Sequence, residues 1–304
     1  MFYHPSPCSC SPPSTNTQTQ KKYQQIDLKH KKMALTITKE LFEQYVPAFL
    51  SPDDAIFQQI SGELQQAQQE VEEIIADTPI PPLTQQHAQR LVCLKAARQA
   101  VPQLDLVLTA TGFGVVSNQN VAPASRERVD RLLEQLRQKE SIATDRLLFS
   151  LLTTPWRNST QATRRITSLI WCPSLIRSYG AKPNGQEVYH EEFLALQPAI
   201  ADAEAYIIQL ISGALYQELV RQERLPSKTD PEVYYIITEQ TRRLMAAIIA
   251  GHSLKSLQPL HNRLLNTIQD FANILQPWLQ SSNAAALKAE PYKNSPNDKT
   301  FFFS

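Results

Sequence analysis

Few residues in this 304-residue chain have the types and spacing that chemistry needs. Cys8 and Cys10 have the close spacing of half a metal site, yet no second ligand pair follows, so they read as solvated tail residues. Cys93 and Cys172 lie inside apolar runs, where buried thiols are ordinary. His87 and His252 each stand alone at a predicted helix end, which suits exposure or capping rather than ligation. His190-Glu191-Glu192 lacks a further ligand at helical spacing, and acidic residues at a helix start are accounted for by the helix dipole. Gly112-Phe113-Gly114 has neither the third glycine nor the lysine nor the strand-to-helix setting of a phosphate loop. No ordered Ser/His/Asp set and no carboxylate pair in an apolar setting is visible, so no catalytic residue, metal ligand or cofactor is expected, and no small-molecule substrate.

The elements that would position any site are helical by composition. Only seven glycines occur, 42% of residues are hydrophobic, and that pairing suits a mainly α protein. The first 32 residues carry five lysines against one aspartate. The remainder therefore holds 25 basic and 28 acidic residues, a slightly acidic body from which direct nucleic-acid binding is not expected. The N-terminus lacks the apolar segment of a signal peptide, and no run approaches the roughly 18 apolar residues of a membrane span. A protein of the bacterial cytoplasm or of a virion, with no membrane partner, is the expectation.

One stretch occurs twice. Shifted by 151 positions, Phe42–Glu72 falls on Phe193–Glu223 without a gap, and 11 of the 31 pairs are identical, among them Phe42/Phe193, Ile60/Ile211, Ser61/Ser212, Gly62/Gly213 and Leu64/Leu215. Chance would give roughly two, so the chain reads as a duplicated helical unit. Glycine inside a helix costs about 1 kcal/mol relative to alanine, and the equivalent placement of Gly62 and Gly213 predicts a close helix contact at each.

The predicted organisation is a disordered tail over 1–32, a first unit over 33–152, a linker over 153–187, a second unit over 188–280 and a mobile tail over 281–304. Met33, just before the ordered pattern, reads as the initiator. In the first unit, Ile56, Ile60, Leu64, Ala67, Val71 and Ile74 keep one helical face. A Pro-rich loop and a helix from Gln85 to about Ala100 follow. The alternation of Leu104, Leu106 and Leu108 with Phe113 and Val115, around a Thr-Ala-Thr-Gly turn, predicts a β-hairpin between the units over Leu104–Asn118. A long helix is predicted over Pro123–Leu152, capped by Ser125. Another is predicted from Leu257 to Leu279. The fold class expected is thus mainly α, with duplicated helical-hairpin units and one β-hairpin between them.

Three features point to self-association. They are the unpaired edges of the hairpin, the apolar linker residues Trp156, Ile170, Trp171 and Leu175, and the terminal Phe301, Phe302 and Phe303. The stretches LDLVLTATGFGVVSNQNVAPASRERVDRLLEQL and FLALQPAIADAEAYIIQLISGALYQEL resemble an uncharacterised family of Bacteroidetes and prophage proteins, a domain of unknown function, over about Leu41 to Ala250. Members tend to be encoded among phage structural genes. The resemblance implies a structural or assembly protein of a phage particle, a head-tail connector or head-completion subunit, with a homo-oligomer and portal or tail proteins as its partners. A helical adaptor of the bacterial cytoplasm is the other expectation that the composition allows.

Overall fold

A computed structural model of the chain describes residues 35–50, 54–104, 107–109, 112–114, 125–226 and 229–288. All of them belong to one compact unit that begins at Leu35. The expectations for the tail over 1–32, for Cys8 and Cys10, and for Phe301, Phe302 and Phe303 lie outside the described residues.

The first copy opens with α1 (Lys39–Tyr45), a 3-10 turn over Pro47–Phe49, α2 (Asp54–Gln59) and α3 (Ser61–Ile75). Thr38 caps α1 by accepting the Leu41 amide. Along α3, Leu64, Ala67, Val71 and Ile75 are buried at three- and four-residue intervals, which makes one continuous apolar stripe. That stripe packs on α4 (Pro82–Leu104), whose alanines at 88, 96, 97 and 100 let the two helices approach closely. Then α5 (Arg126–Leu151) lies along α4 in the most extensive helix pairing of the molecule. Ser150 and Thr84 hydroxyls meet at 2.5 Å and fix the register of the pair.

The second copy follows the same path with one difference: α8 (His190–Ala195) is followed by a single helix α9 (Gln197–Ile211) where the first copy has a 3-10 turn and α2, then by α10 (Gly213–Arg224) and, past a Pro-containing loop, α11 (Pro231–Ile249). Phe42 and Phe193, Ile60 and Ile211, and Leu64 and Leu215 are buried in both copies. The helix is interrupted shortly before the shared glycine in each, at Ile60 between α2 and α3 and at Ser212 between α9 and α10. The helical hairpin continues through Gly251, at φ 75°, where the amides of Gly251 and His252 close the end of α11 on the Ile248 and Ala247 carbonyls. It is completed by α12 (Leu254–Asp270), α13 (Gln276–Leu279) and α14 (Ser282–Lys288). The single helix expected over Leu257–Leu279 is therefore two, interrupted ahead of Pro277, whose ring clashes with the preceding helical turn.

Three further expectations are corrected. The β-hairpin over Leu104–Asn118 is not an element of the fold: Leu104 ends α4, and among the described residues extended pairing covers Val107–Thr109 against Gly112–Gly114. Among the described residues the fold is helical, and its buried core is supplied by helices and the segments that join them. The alanine-rich helix propagates through Pro102 to Leu104, and three residues against three is too short a ribbon to stand as a unit.

Gly62 and Gly213 make no close helix contact. A Cβ on Gly62 would meet nothing within 4 Å, and one on Gly213 would meet Ile208 Cγ2 at 3.8 Å, an ordinary distance. Both glycines sit in a first helical turn after the break, and Ser212 takes the turn itself, at φ 75°, while its hydroxyl accepts the Leu215 amide. Gly62→Ala and Gly213→Ala are accordingly expected to leave stability unchanged or raise it by up to about 1 kcal/mol in urea titrations. A loss larger than that would reinstate the packing role.

The segment 153–187 is no linker. Its 3-10 turn over Pro155–Asn158 and helices α6 (Thr160–Arg165) and α7 (Pro173–Arg177) carry Trp156, Leu169, Ile170, Cys172 and Ile176 into the same core as both copies. Trp156 and Ile170 are essentially inaccessible, and Trp171 and Leu175 retain 7% and 6% exposure, so the apolar residues expected to form an interface are core. A short apolar run looks alike whether it faces a partner or its own helices, and here the helices of both copies cover it.

Candidate functional site

The ionisable residues singled out above are used structurally. Glu192 accepts the Tyr189 amide at 2.9 Å at the start of α8 and takes both Arg137 Nη1 contacts, at 2.8 and 3.0 Å. Glu191 is exposed, 3.7 Å from Arg137. Two guanidinium groups lie over the Tyr189 ring, Arg137 at 5.5 Å and Arg177 at 5.1 Å from its centroid. Cys93 and Cys172 are buried free thiols; burial pushes Cys93 up to about 12 and Cys172 higher still, which leaves both protonated and inert. His87 is half-buried on α4, and burial, helped by Arg146 and Arg90, depresses its pKa. Among the described residues no three His, Cys, Asp or Glu side chains gather as a metal site.

Two buried polar clusters bind segment 153–187 to its surroundings. Asp145 on α5, only 3% exposed, accepts the Ser174 amide at 2.9 Å, the Ser174 hydroxyl, and Arg177 Nη2 at 2.9 Å. Desolvation still raises its pKa, against these three donors. In the second, Arg242 on α11 donates Nε to the Leu169 carbonyl at 2.9 Å and pairs through Nη2 with Glu223 of α10. Glu223 also accepts Trp171 Nε1 at 3.3 Å. The Tyr216 hydroxyl, held by Glu204 at 2.7 Å, accepts the Leu169 amide at 3.3 Å. Asp145 and Arg242 are buried at the centres of these clusters, and Glu223 and Arg177 are each 15% exposed.

An accessible groove lies between α11 and α12, with a volume of about 190 Å³. Its floor and walls include Tyr235, Ile236 and Leu260, of which Tyr235 is 65% exposed. Two exposed arginines, Arg243 and Arg263, line it as well, and neither has an ion-pair partner among the described residues. The carboxylate present, Glu239, is already engaged by the Tyr179 hydroxyl at 2.9 Å and by Arg242 at 3.5 Å. Gln240 also lines the groove, and its Oε1 is buried without a hydrogen-bond partner among the described residues. Apolar surface beside uncompensated cations is chemistry that can hold a carboxylate-bearing, partly apolar segment.

None of these groove residues was singled out from the sequence. Arg242 and Arg243 are adjacent and look identical in sequence; one is core and the other rim, because successive helical residues point about 100° apart. The available signal was Tyr235-Ile236, which continues an apolar run beyond the buried stripe of Val233, Ile237 and Leu244.

A family of unknown function, DUF6712, matches the chain over residues 54–166, from α2 into α6. No curated protein and no solved structure matches it. Among the described residues, no helix is long and apolar enough to cross a membrane.

Proposed function

We propose that the chain is a structural or assembly protein of a phage or prophage particle, a head-tail connector or head-completion subunit that works through protein-protein contacts. What carries the reading is a coincidence: of the two stretches on which the phage-family resemblance rests, 104–136 lies within the region 54–166 matched by a family of unknown function, and 193–219 lies beyond it. Buried carboxylates and thiols committed to holding the fold favour a binding role over a catalytic one. A helical adaptor of the bacterial cytoplasm is the second reading, and the α11–α12 groove favours it equally, since a peptide of any acidic partner would suit that surface.

Mixing the protein with the portal protein encoded nearest to it separates the two. Comigration in size-exclusion chromatography, with terminase, portal and capsid genes as neighbours, is the expected result. A gene without such neighbours, together with no portal complex, would move the assignment to the adaptor.

A further inference from the structure

We infer that copies of this chain join head to tail, the α3–α4 corner of one copy entering the α11–α12 groove of the next. This names the surfaces behind the assembly reading proposed above and rests on it. Charge along the chain is segregated: residues 61–81 contain five acidic side chains and no lysine or arginine, whereas residues 240–269 contain four basic side chains and no aspartate or glutamate. Opposed patches of this kind steer association and set its register.

The two surfaces match in detail. On the corner, Glu70 and Glu72 are engaged, by Lys95 and by Gln68, but Glu73 and Asp77 are exposed and have no ion-pair partner among the described residues. Leu83, 61% exposed, follows six residues after Asp77 at the start of α4, and Pro79, Pro81 and Pro82 stiffen the corner, which lowers the entropy lost on docking. In the groove, Arg243 and Arg263 wait at an apolar floor built by Tyr235, Ile236 and Leu260, and Glu239 is neutralised from within. Glu73 and Asp77 pair with the two arginines, and Leu83 covers the floor. The corner sits where Trp156 Nε1 meets the Ile74 carbonyl, and the groove lies on α11 and α12 in the other copy of the repeat, so the contact is heterologous and generates a ring or a filament rather than a closed dimer.

The test uses the full chain and two exposed charge reversals, Glu73→Lys with Asp77→Lys, and Arg243→Glu with Arg263→Glu. Sedimentation velocity of the wild type should show association that weakens as salt rises from about 0.05 to 0.5 M. Each double variant alone should associate at least about tenfold more weakly, with an unchanged melting curve, since each repels its own complementary surface. An equimolar mixture of the two should recover assembly, because each basic surface then faces an acidic one. Failure of the mixture to recover, or association untouched by either reversal, overturns this contact and leaves the assembly reading standing. A wild type that stays monomeric also overturns it, while the portal mixture judges the assembly reading separately. Loss of duplex DNA binding by the arginine variant with no change in self-association assigns the basic stretch to nucleic acid instead.

Discussion

Trp156→Ala is expected to remove about 3–5 kcal/mol of stability, a large share of what a domain of this kind possesses. The indole is wholly buried at the junction of the first copy with segment 153–187, and its Nε1 donates at 2.7 Å to the Ile74 carbonyl, one of the last in α3. Truncation leaves an indole-sized cavity and strips a partner from a helix-terminal carbonyl. Trp156→Phe divides the two effects, keeping most of the volume and losing the donor, for a cost of about 1–3 kcal/mol. Equilibrium urea unfolding gives both values. An alanine variant that loses less than 1 kcal/mol would mean the surrounding helices close over the site, and that Trp156 is not what ties segment 153–187 to the first copy.

Arg242→Ala should cost a comparable amount, about 3–5 kcal/mol, for a different reason. The guanidinium is 8% exposed and satisfies Glu223 together with the Leu169 carbonyl, so its removal strands a carboxylate that is itself only 15% exposed. The loss therefore comes chiefly from the group left behind. Glu223→Gln in the same chain should recover part of it, since the amide carries no charge to strand and still offers Trp171 Nε1 an acceptor. Arg242→Lys keeps the charge without the fork that reaches both acceptors and should fall between. If the double variant is as unstable as the sum of the singles, the two residues are not coupled and the cluster is not the tie between segment 153–187 and the second copy.

Much of the backbone was legible in the residues alone. The helical class, the internal repeat, the apolar stripe of α3 and the long helix after Ser125 all follow from local periodicity, which reports a single element's face regardless of what covers it. The repeat was readable for the same reason, since Phe42, Ile60 and Leu64 and their counterparts hold equivalent buried positions in each copy.

Tertiary structure alone decided where those faces point. Leu104 alternates with Leu106 and Leu108 as a strand residue would, yet it joins a helix already propagating through alanines. Gly62 and Gly213 share a position in the repeat, but only the packed structure shows the helix interrupted ahead of each and no helix pressing on them. Trp156, Ile170, Trp171 and Leu175 were readable as apolar but not as core, because coverage depends on helices far away in sequence. The α11–α12 groove was hidden for the same reason. Arg242 and Arg243 are equal as letters, and burial among α10, α11 and segment 153–187 makes one a structural ion pair while leaving the other free to meet a partner. Hydrophobic pattern is a local quantity, whereas burial is a property of the whole packed chain.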